Sequence, residues 1–429
     1  MKVSFISLGC DKNTVDSEKI FKKFLDKFDA VAVSDVNEAD IAIINTCSFI
    51  LDAKNESIEY IKYLIDLKKR GRLKEILVLG CLVSENELTH KYDYLFKDVT
   101  KALSFEKYKN DLDDINDRVV DILSFSSSIK ICDGCDKFCS YCIIPYLKGK
   151  FKSGAPNAIV DEAKKLSKNG VKELSIVGQD TLHYGVDIKD DKFFNKNEKP
   201  IVTLLNEISK IKGIEWIRLL YCYPEEIDDS VIKLIKENKK VLKYIDMPIQ
   251  HSNDKILRLM NRKTTRDSII NIVKKLRFQI PDICIRTTLI VGFPGETDDD
   301  FNDLKNFVME MKFDKLGVFT YSREKLSKSY NMKNQIDDTT KEKRKQIILE
   351  IQKDVVKEKN EQKIGKVFNA IVEGKVDNKN NIYLVRPYFN ARDIDDNVFV
   401  KSEKILISGS FLNVKINNYK DYDLYGDII

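Results

Sequence analysis

The strongest chemical signal in this 429-residue sequence is a set of three cysteines on one short stretch. Cys135, Cys139 and Cys142 form a C-x3-C-x2-C pattern directly after a predicted strand. Three thiolates on so short a loop can hold three irons of a 4Fe-4S cluster, and the fourth iron then stays open for a substrate or cofactor. The spacing therefore predicts an iron-sulfur site that performs chemistry.

Two other kinds of metal site also use closely spaced cysteines. A structural zinc site could add Cys132 as a fourth ligand, but zinc ribbons usually separate their cysteine pairs by about 15 residues or more. A ferredoxin-type electron carrier uses a C-x2-C-x2-C run with a proline after a fourth cysteine, whereas Pro145 follows no fourth cysteine here. Both patterns fit less well than an open cluster. Cys132 is predicted to be a buried apolar residue rather than a ligand.

A second set of three cysteines is spread over the first hundred residues. Cys10, Cys47 and Cys81 each end a short apolar run that predicts a buried strand, and segments with helical spacing separate these runs. This β-α-β rhythm predicts a parallel sheet, in which the carboxyl ends of the strands share one edge. Three thiols that are distant in the sequence can thus converge in space.

The middle of the chain repeats the same alternation of strands and helices. Six strand-like runs with intervening helical segments predict an incomplete (β/α)6 barrel, with its chemistry at the carboxyl ends of the strands. A polar and serine-rich stretch from about Asn110 to Ser128 predicts a linker before this barrel. The six predicted strands are Ile129–Cys132, Leu174–Val177, Trp216–Tyr221, Tyr244–Met247, Ile285–Val291 and Leu316–Tyr321.

The last part of the chain has a different character. After a charged helical connector, Asp337–Lys363, short strand-like runs broken by Gly, Asn and Asp predict a small antiparallel β-barrel. Residues 361–429 hold ten basic and ten acidic side chains, whereas a barrel that grips RNA is expected to carry a basic excess. The acidic group Asp393, Asp395 and Asp396 suits a basic protein partner instead.

The composition excludes several classes of protein. A chain with 43% hydrophobic and 33% charged residues is expected to fold rather than to stay disordered. It has no apolar run of about 18 residues, and Met1–Cys10 is too short and too weakly apolar for a signal peptide. We therefore expect a cytoplasmic protein, in which nine cysteines favour metal or catalytic roles over disulfides. The net charge of +5 is too small to indicate a dedicated nucleic-acid binder.

At this point the sequence resembles a known family. The C-x3-C-x2-C loop with an aromatic residue at Tyr141 resembles the cluster loop of radical S-adenosylmethionine enzymes, and Ile143–Pro145 narrows the resemblance to their methylthiotransferase group. The resemblance covers nearly the whole chain and favours the RimO branch. The other matching segments are Leu8–Glu18, Asn45–Ile50, Gly80–Leu82, Arg218–Pro224, Asp246–His251, Arg286–Thr297 and Asp421–Leu424.

The resemblance implies three domains and two clusters. Residues 1–108 would be a methylthiotransferase domain that holds a second 4Fe-4S cluster on Cys10, Cys47 and Cys81. Residues 127–340 would be the radical barrel, whose cluster sits on Cys135, Cys139 and Cys142, and residues 363–429 would be a TRAM domain. The residues implied to contact S-adenosylmethionine are Tyr141, Gly178, Gln179, Asp180, His251 and Arg286. For Gly178–Asp180, a plain strand-to-loop turn explains the residues equally well.

The resemblance also implies a reaction. It would be methylthiolation of the β-carbon of an aspartate in small-subunit ribosomal protein twelve, with S-adenosylmethionine as both radical source and methyl donor. The implied partners are that protein, free or in the assembled subunit, and an electron donor such as flavodoxin or ferredoxin, without a membrane. Two alternatives stay open: a tRNA methylthiotransferase of the MiaB type, and a non-catalytic iron-sulfur protein for electron transfer or storage. Lys148 and Lys150 stand where the family usually has arginines.

Overall fold

The described residues form three large sheets, which follow one another along the chain, and one small two-stranded sheet. The computed structural model describes residues 1–104, 107, 117–120, 124–189 and 192–429. Much of the predicted linker, residues 110–116 and 121–123, lies outside the described residues. Its last residues, Ser126–Ser128, already belong to the first strand of the central sheet, so the predicted linker extends too far.

The first sheet is parallel, with the strand order β2-β1-β3-β4-β5. The strands that carry the three dispersed cysteines, β1, β3 and β4, are neighbours, and β3 is buried along its whole length as a central strand requires. The short strands β2 and β5 were not predicted. The elements are β1 Lys2–Ser7, α1 Asp11–Phe28, β2 Val31–Ala32, β3 Ile41–Thr46, α2 Leu51–Lys69, β4 Glu75–Gly80, α3 Cys81–Thr89, α4 Asp93–Phe96 and β5 Lys101–Leu103.

The central sheet has six parallel strands in the order β13-β12-β11-β10-β9-β6, which confirms the predicted incomplete barrel. A short antiparallel pair, β7 with β8, and helix α5 flank the C-x3-C-x2-C loop. The strands are β6 Ser126–Lys130, β7 Cys132–Asp133, β8 Lys152–Ser153, β9 Glu173–Val177, β10 Trp216–Leu219, β11 Val241–Asp246, β12 Cys284–Val291 and β13 Lys315–Thr320. The helices are α5 Ile144–Lys148, α6 Pro156–Lys168, α7 Pro200–Ser209, α8 Asp229–Glu237, α9 Asp254–Leu259, α10 Arg266–Gln279 and α11 Asp298–Met311.

The last sheet is a closed five-stranded barrel in the order β14-β15-β16-β18-β17. Its strand pairs are antiparallel as predicted, except that β16 pairs with β18 in parallel, and β18 itself was not predicted. The connector is a helix, as predicted, but it also buries Ile348 in the core of the central domain. The elements are α12 Asp338–Glu361, β14 Val367–Asp377, β15 Ile382–Pro387, β16 Val398–Lys401, β17 Phe411–Lys420 and β18 Asp423–Ile428.

The terminal barrel packs on the face of the central sheet that its helices do not cover. Side chains alternate along β10, so that Ile217 and Leu219 face the helices while Trp216 packs against the ring of Phe411 in the barrel. The same alternation places two charged side chains of the central sheet against the barrel. They form the buried ion network described next.

Glu173 of β9 is the centre of this buried network. Its Oε1 accepts hydrogen bonds from Nε of Arg218 at 3.0 Å and from Nη1 of Arg386 at 2.9 Å, and Arg386 belongs to the barrel strand β15. Burial alone would raise the pKa of Glu173, but the two guanidinium groups lower it to about 2. The carboxylate therefore stays charged and holds the barrel to the central domain.

We predict that Glu173→Gln strongly destabilises the protein. The substitution leaves the buried guanidinium group of Arg218 without a counter-ion, which typically costs about 3–5 kcal/mol, while Arg386 keeps its pair with Glu373. The measurement is the free energy of unfolding from urea titration. The control, Glu59→Gln, breaks an exposed pair with Lys62 and is expected to cost about 0.5 kcal/mol. Equal urea midpoints for the two variants would contradict a stabilising role for the network.

Candidate functional site

The three dispersed cysteines lie at one edge of the first sheet. Cys10 lies between β1 and α1, Cys47 directly follows β3, and Cys81 begins α3 at the end of β4. Because these strands are adjacent and parallel, their carboxyl ends bring the three residues together, as the sequence predicts. We call Cys10, Cys47 and Cys81 the first triad.

A glycine and a buried polar network hold the first triad. Gly9 has a φ of +95°, and a Cβ at this position would lie 2.7 Å from Cβ of Cys47. Asn13 donates through Nδ2 to the carbonyl oxygens of Leu8 and Thr46, at 3.2 Å each. The hydroxyl of Thr46 donates in turn to the carbonyl of Leu79 at 2.6 Å, so side chains tie the ends of all three strands together.

Cys135, Cys139 and Cys142, which we call the second triad, lie on the loop between β7 and α5. The loop turns tightly, with φ of +68° at Gly134 and +49° at Phe138. A Cβ on Gly134 would lie 2.1 Å from the carbonyl oxygen of Lys150, so only glycine fits there. The backbone N–H of Ile144 donates to Sγ of Cys142 at 3.4 Å, a contact that stabilises a thiolate.

Both triads fit cubane clusters better than a single zinc ion. Among the described residues, no three thiols lie within 4.8 Å of one another. A tetrahedral zinc ion bound to thiolates at about 2.3 Å would bring the sulfurs to about 3.8 Å from each other. Burial raises the pKa of Cys81 to about 12 and that of Cys135 to about 11. As free groups these thiols are therefore poor nucleophiles at neutral pH.

The two triads face each other across the boundary between the first two domains. Ile143, which follows Cys142, packs with Leu147 against Cys81. The fully buried carboxylate of Asp16 on α1 pairs with Lys130 at the end of β6 and, at 3.2 Å, with Lys148 of α5. The two thiol sites therefore lie on either side of one domain boundary. We call the region between them the cleft.

A second buried ion pair closes the same boundary. Nζ of Lys54 on α2 lies 3.0 Å from Glu85 on α3 and 2.6 Å from Glu324, which follows β13 in the central domain. All three side chains are less than a tenth exposed, so water screens the pairs weakly. The boundary is thus fixed at two separate places.

Three of the predicted S-adenosylmethionine contacts lie beside the second triad. Gly178 packs against Cys132, which is buried as predicted. Gln179 donates through Nε2 to Oδ1 of Asp133 at 3.1 Å. Asp180 is buried, and burial raises its pKa to about 6 although Nζ of Lys137 lies 3.2 Å from its carboxylate. The turn after β9 therefore presents a carboxylate beside the cluster loop.

The other three residues that were predicted to contact S-adenosylmethionine have neighbours other than the second triad. Tyr141, within the loop, packs against a small apolar group that includes Phe293. His251 is completely buried, and its Nδ1 accepts from the backbone N–H of Asn253 at 2.9 Å. Arg286 donates through Nη1 to Asp246 at 2.8 Å. His251 and Arg286 are thus held by partners other than Asp180 and the second triad.

Several residues around the second triad had no role in the sequence interpretation. The guanidinium of Arg262 lies 4.2 Å from the centre of the Tyr223 ring, and the hydroxyl of Tyr223 lies 3.9 Å from Sγ of Cys139. Lys137, inside the loop, pairs with Glu226 at 2.9 Å. Arg262 belongs to no motif, and its position depends on contacts that are distant in the sequence. No signal in one sequence could have indicated it.

The acidic group of the terminal barrel is a correction to the sequence analysis. Asp395 accepts a hydrogen bond from the Tyr244 hydroxyl at 2.8 Å, and Asp396 pairs with Lys315 of the central domain. Only Asp393 of the three is largely exposed. The interpretation of these aspartates as a docking surface was wrong, because two of the three carboxylates bind the barrel to the central domain of the same chain.

The contact between Gly178 and Cys132 gives a testable prediction. A Cβ on residue 178 would lie 2.3 Å from Sγ of Cys132, so Gly178→Ala is expected to cost about 1–3 kcal/mol through overpacking. Cys132→Ala removes that sulfur, and the double variant should regain most of the lost stability. Thermal unfolding of the anaerobic protein measures both effects. We expect no ligand role for Cys132, so the Cys132→Ala protein should keep its iron, and loss of iron would show that the residue is a ligand.

Comparisons with known proteins agree with this architecture. Residues 129–308 match the model of the radical SAM superfamily, and residues 364–429 match that of the TRAM domain. Residues 2–98 match a family described as uncharacterized protein family UPF0004. Among solved structures, a radical S-adenosylmethionine methyltransferase, TsrM from Kitasatospora setae, superposes with a TM-score of 0.52. It covers 74% of this chain and 72% of its own at 14% identity, which supports the fold alone.

Curated relatives match the whole chain. A protein of Acetivibrio thermocellus is 43% identical over 100% of this chain and 98% of its own length. A protein of Thermoanaerobacter sp. is 44% identical over 99% of each chain. Both are named ribosomal protein uS12 methylthiotransferase RimO. With all three domains, both cysteine triads and this identity over its full length, the chain belongs to the RimO family of radical S-adenosylmethionine methylthiotransferases.

Proposed function

We propose that this protein attaches a methylthio group to the β-carbon of an aspartate in small-subunit ribosomal protein uS12. The relatives that match over the full length are named ribosomal protein uS12 methylthiotransferases. The single observation that carries the proposal is the cleft between the first and second triads, because one enzyme must both activate a carbon and supply sulfur. An electron carrier would not need the carboxylate of Asp180 beside the second triad.

The cofactors follow from the family and from the donor sets. Membership in the radical SAM superfamily implies S-adenosylmethionine and one 4Fe-4S cluster, which we assign to the second triad. We further propose a second cluster on the first triad. When bound and reduced, the cluster of the second triad supplies the electron that splits S-adenosylmethionine, and the resulting radical can take hydrogen from an unactivated carbon.

The residues beside the second triad suit the amino-acid end of S-adenosylmethionine. Asp180 can accept from its ammonium group, provided that Lys137 keeps its other contact with Glu226. Gly178 lets the backbone approach a ligand closely, since it has no side chain. Tyr141 lies within the loop. Arg286 would act only indirectly, because it is held by Asp246 and Asp395. The buried Nε2 of His251 has no hydrogen-bond partner among the described residues and is available to a ligand.

The boundary between the domains suits the exclusion of water. The buried pairs of Asp16 with Lys148 and of Lys54 with Glu324 close it on two sides. A radical in such a cleft is protected from solvent and from competing donors.

Within the described residues, no helix is both long enough and apolar enough to cross a bilayer. We propose a cytoplasmic location and a flavodoxin-like or ferredoxin-like electron donor.

The two-cluster proposal predicts the iron content. Anaerobically reconstituted protein should bind about eight irons, since each cubane holds four. Replacing all three cysteines of the second triad by alanine should leave about four irons and abolish formation of deoxyadenosine. The same change in the first triad should also leave about four irons but spare deoxyadenosine formation. An unchanged content of about eight irons in the first-triad variant would contradict the proposal that the first triad holds a cluster.

Mass spectrometry can show whether the protein modifies uS12 or tRNA. Ribosomal proteins and tRNA from cells with and without the gene are compared, and uS12 is expected to carry a methylthio group in place of one hydrogen only when the gene is present. The matched control is a gene with the second triad replaced by alanine, which should leave uS12 unmodified. A change in tRNA with unmodified uS12 would instead support the tRNA alternative.

A further inference from the structure

Lys12 lies in the cleft beside the first triad. It is in the first turn of α1, two residues after Cys10. Its Nζ lies 3.2 Å from the centre of the Tyr221 ring. Tyr221 follows β10, at the carboxyl edge of the central sheet. The ammonium group of Lys12 thus points from the first triad toward the edge at which a β/α barrel performs chemistry.

A chain of contacts through the central domain and the barrel fixes the backbone at Tyr221. The backbone N–H of Tyr221 donates to Oδ2 of Asp246 at 3.0 Å, and Oδ1 of Asp246 accepts from Arg286 at 2.8 Å. Nε of Arg286 lies 3.5 Å from Asp395 of the terminal barrel. Tyr221 has a φ of +60°, which such surroundings can stabilise. The platform under Lys12 is therefore built by the fold and is not a loose surface contact.

Lys12 differs from the other cations around this cleft. Lys130 and Lys148 pair with Asp16, and Lys137 pairs with Asp180 and Glu226. Within the described part of the chain, no carboxylate oxygen lies within 4.0 Å of Nζ of Lys12. An aromatic face stabilises an ammonium group but leaves its N–H donors available for an anion.

We propose that Lys12 binds the side-chain carboxylate of the substrate aspartate. This inference rests on the proposed function. The carboxylate is attached directly to the β-carbon that receives sulfur, so it must lie close to the first triad when the bond forms. The ammonium group of Lys12 provides a positive charge close to the first triad. A half-buried ammonium group forms a charge-assisted hydrogen bond with a carboxylate and discriminates against the neutral amide of asparagine.

The test measures binding of a uS12 peptide to the enzyme loaded with both clusters and S-adenosylmethionine. Two peptides are compared, one with the target aspartate and one with asparagine in its place, by fluorescence anisotropy under anaerobic conditions. The wild-type enzyme should bind the aspartate peptide at least about tenfold more tightly. Lys12→Met should bind both peptides equally, with the affinity that the wild type has for the asparagine peptide. Lys12→Arg should keep a preference for aspartate.

Controls separate binding from folding. Lys22→Met removes the same charge from an exposed position on the same helix and should keep the wild-type preference. Each variant is assayed for iron, and Lys12→Gln replaces Lys12→Met if the latter loses its first-triad iron. An unchanged preference in the Lys12 variant, with wild-type methylthiolation of the aspartate peptide, would overturn this inference and leave the proposed function standing. A wild-type enzyme that neither binds nor modifies the peptide would overturn both.

Discussion

The buried carboxylate of Asp16 is the interaction on which the arrangement of the two thiol sites depends. It lies on the helix that starts after Cys10, and it pairs with Lys130 and with Lys148, which ends the helix after Cys142. A charge that is completely buried is tolerated only while its partners stay in place, and separating them costs several kcal/mol. Any change in the relative position of the two domains would break this contact. The facing geometry of the triads is therefore specified and not incidental.

The terminal barrel contributes to the site from a distance. It is anchored by Glu173 and Arg386 on the face of the central sheet that the helices leave uncovered. Its Asp395 contacts Arg286, which in turn holds the Asp246 carboxylate beneath Tyr221. A domain with no net charge in its sequence thus serves as a structural support, and its acidic residues are used for contacts within the chain.

The sequence predicts those parts of the site that local patterns determine. Strand periodicity followed by cysteine placed Cys10, Cys47 and Cys81 at one edge, because parallel strands share the direction of their carboxyl ends. The partners of Asp16 could not be predicted, since Asp16 lies in a charged helical segment and Lys130 is 114 residues away. The contact between Asp395 and Arg286 could not be predicted either, because the two residues lie in different domains. Ion pairs between domains have no periodicity, and only the folded chain shows which charges are buried.

Lys148 has a clear physical role in this network. Lys130 contacts Oδ1 of Asp16 and Lys148 contacts Oδ2, so each ammonium group uses one oxygen of the carboxylate. The planar fork of an arginine would favour both oxygens at once and compete with Lys130 for the first. A lysine is a point charge and can share the carboxylate. Lys148 therefore serves to join the first two domains.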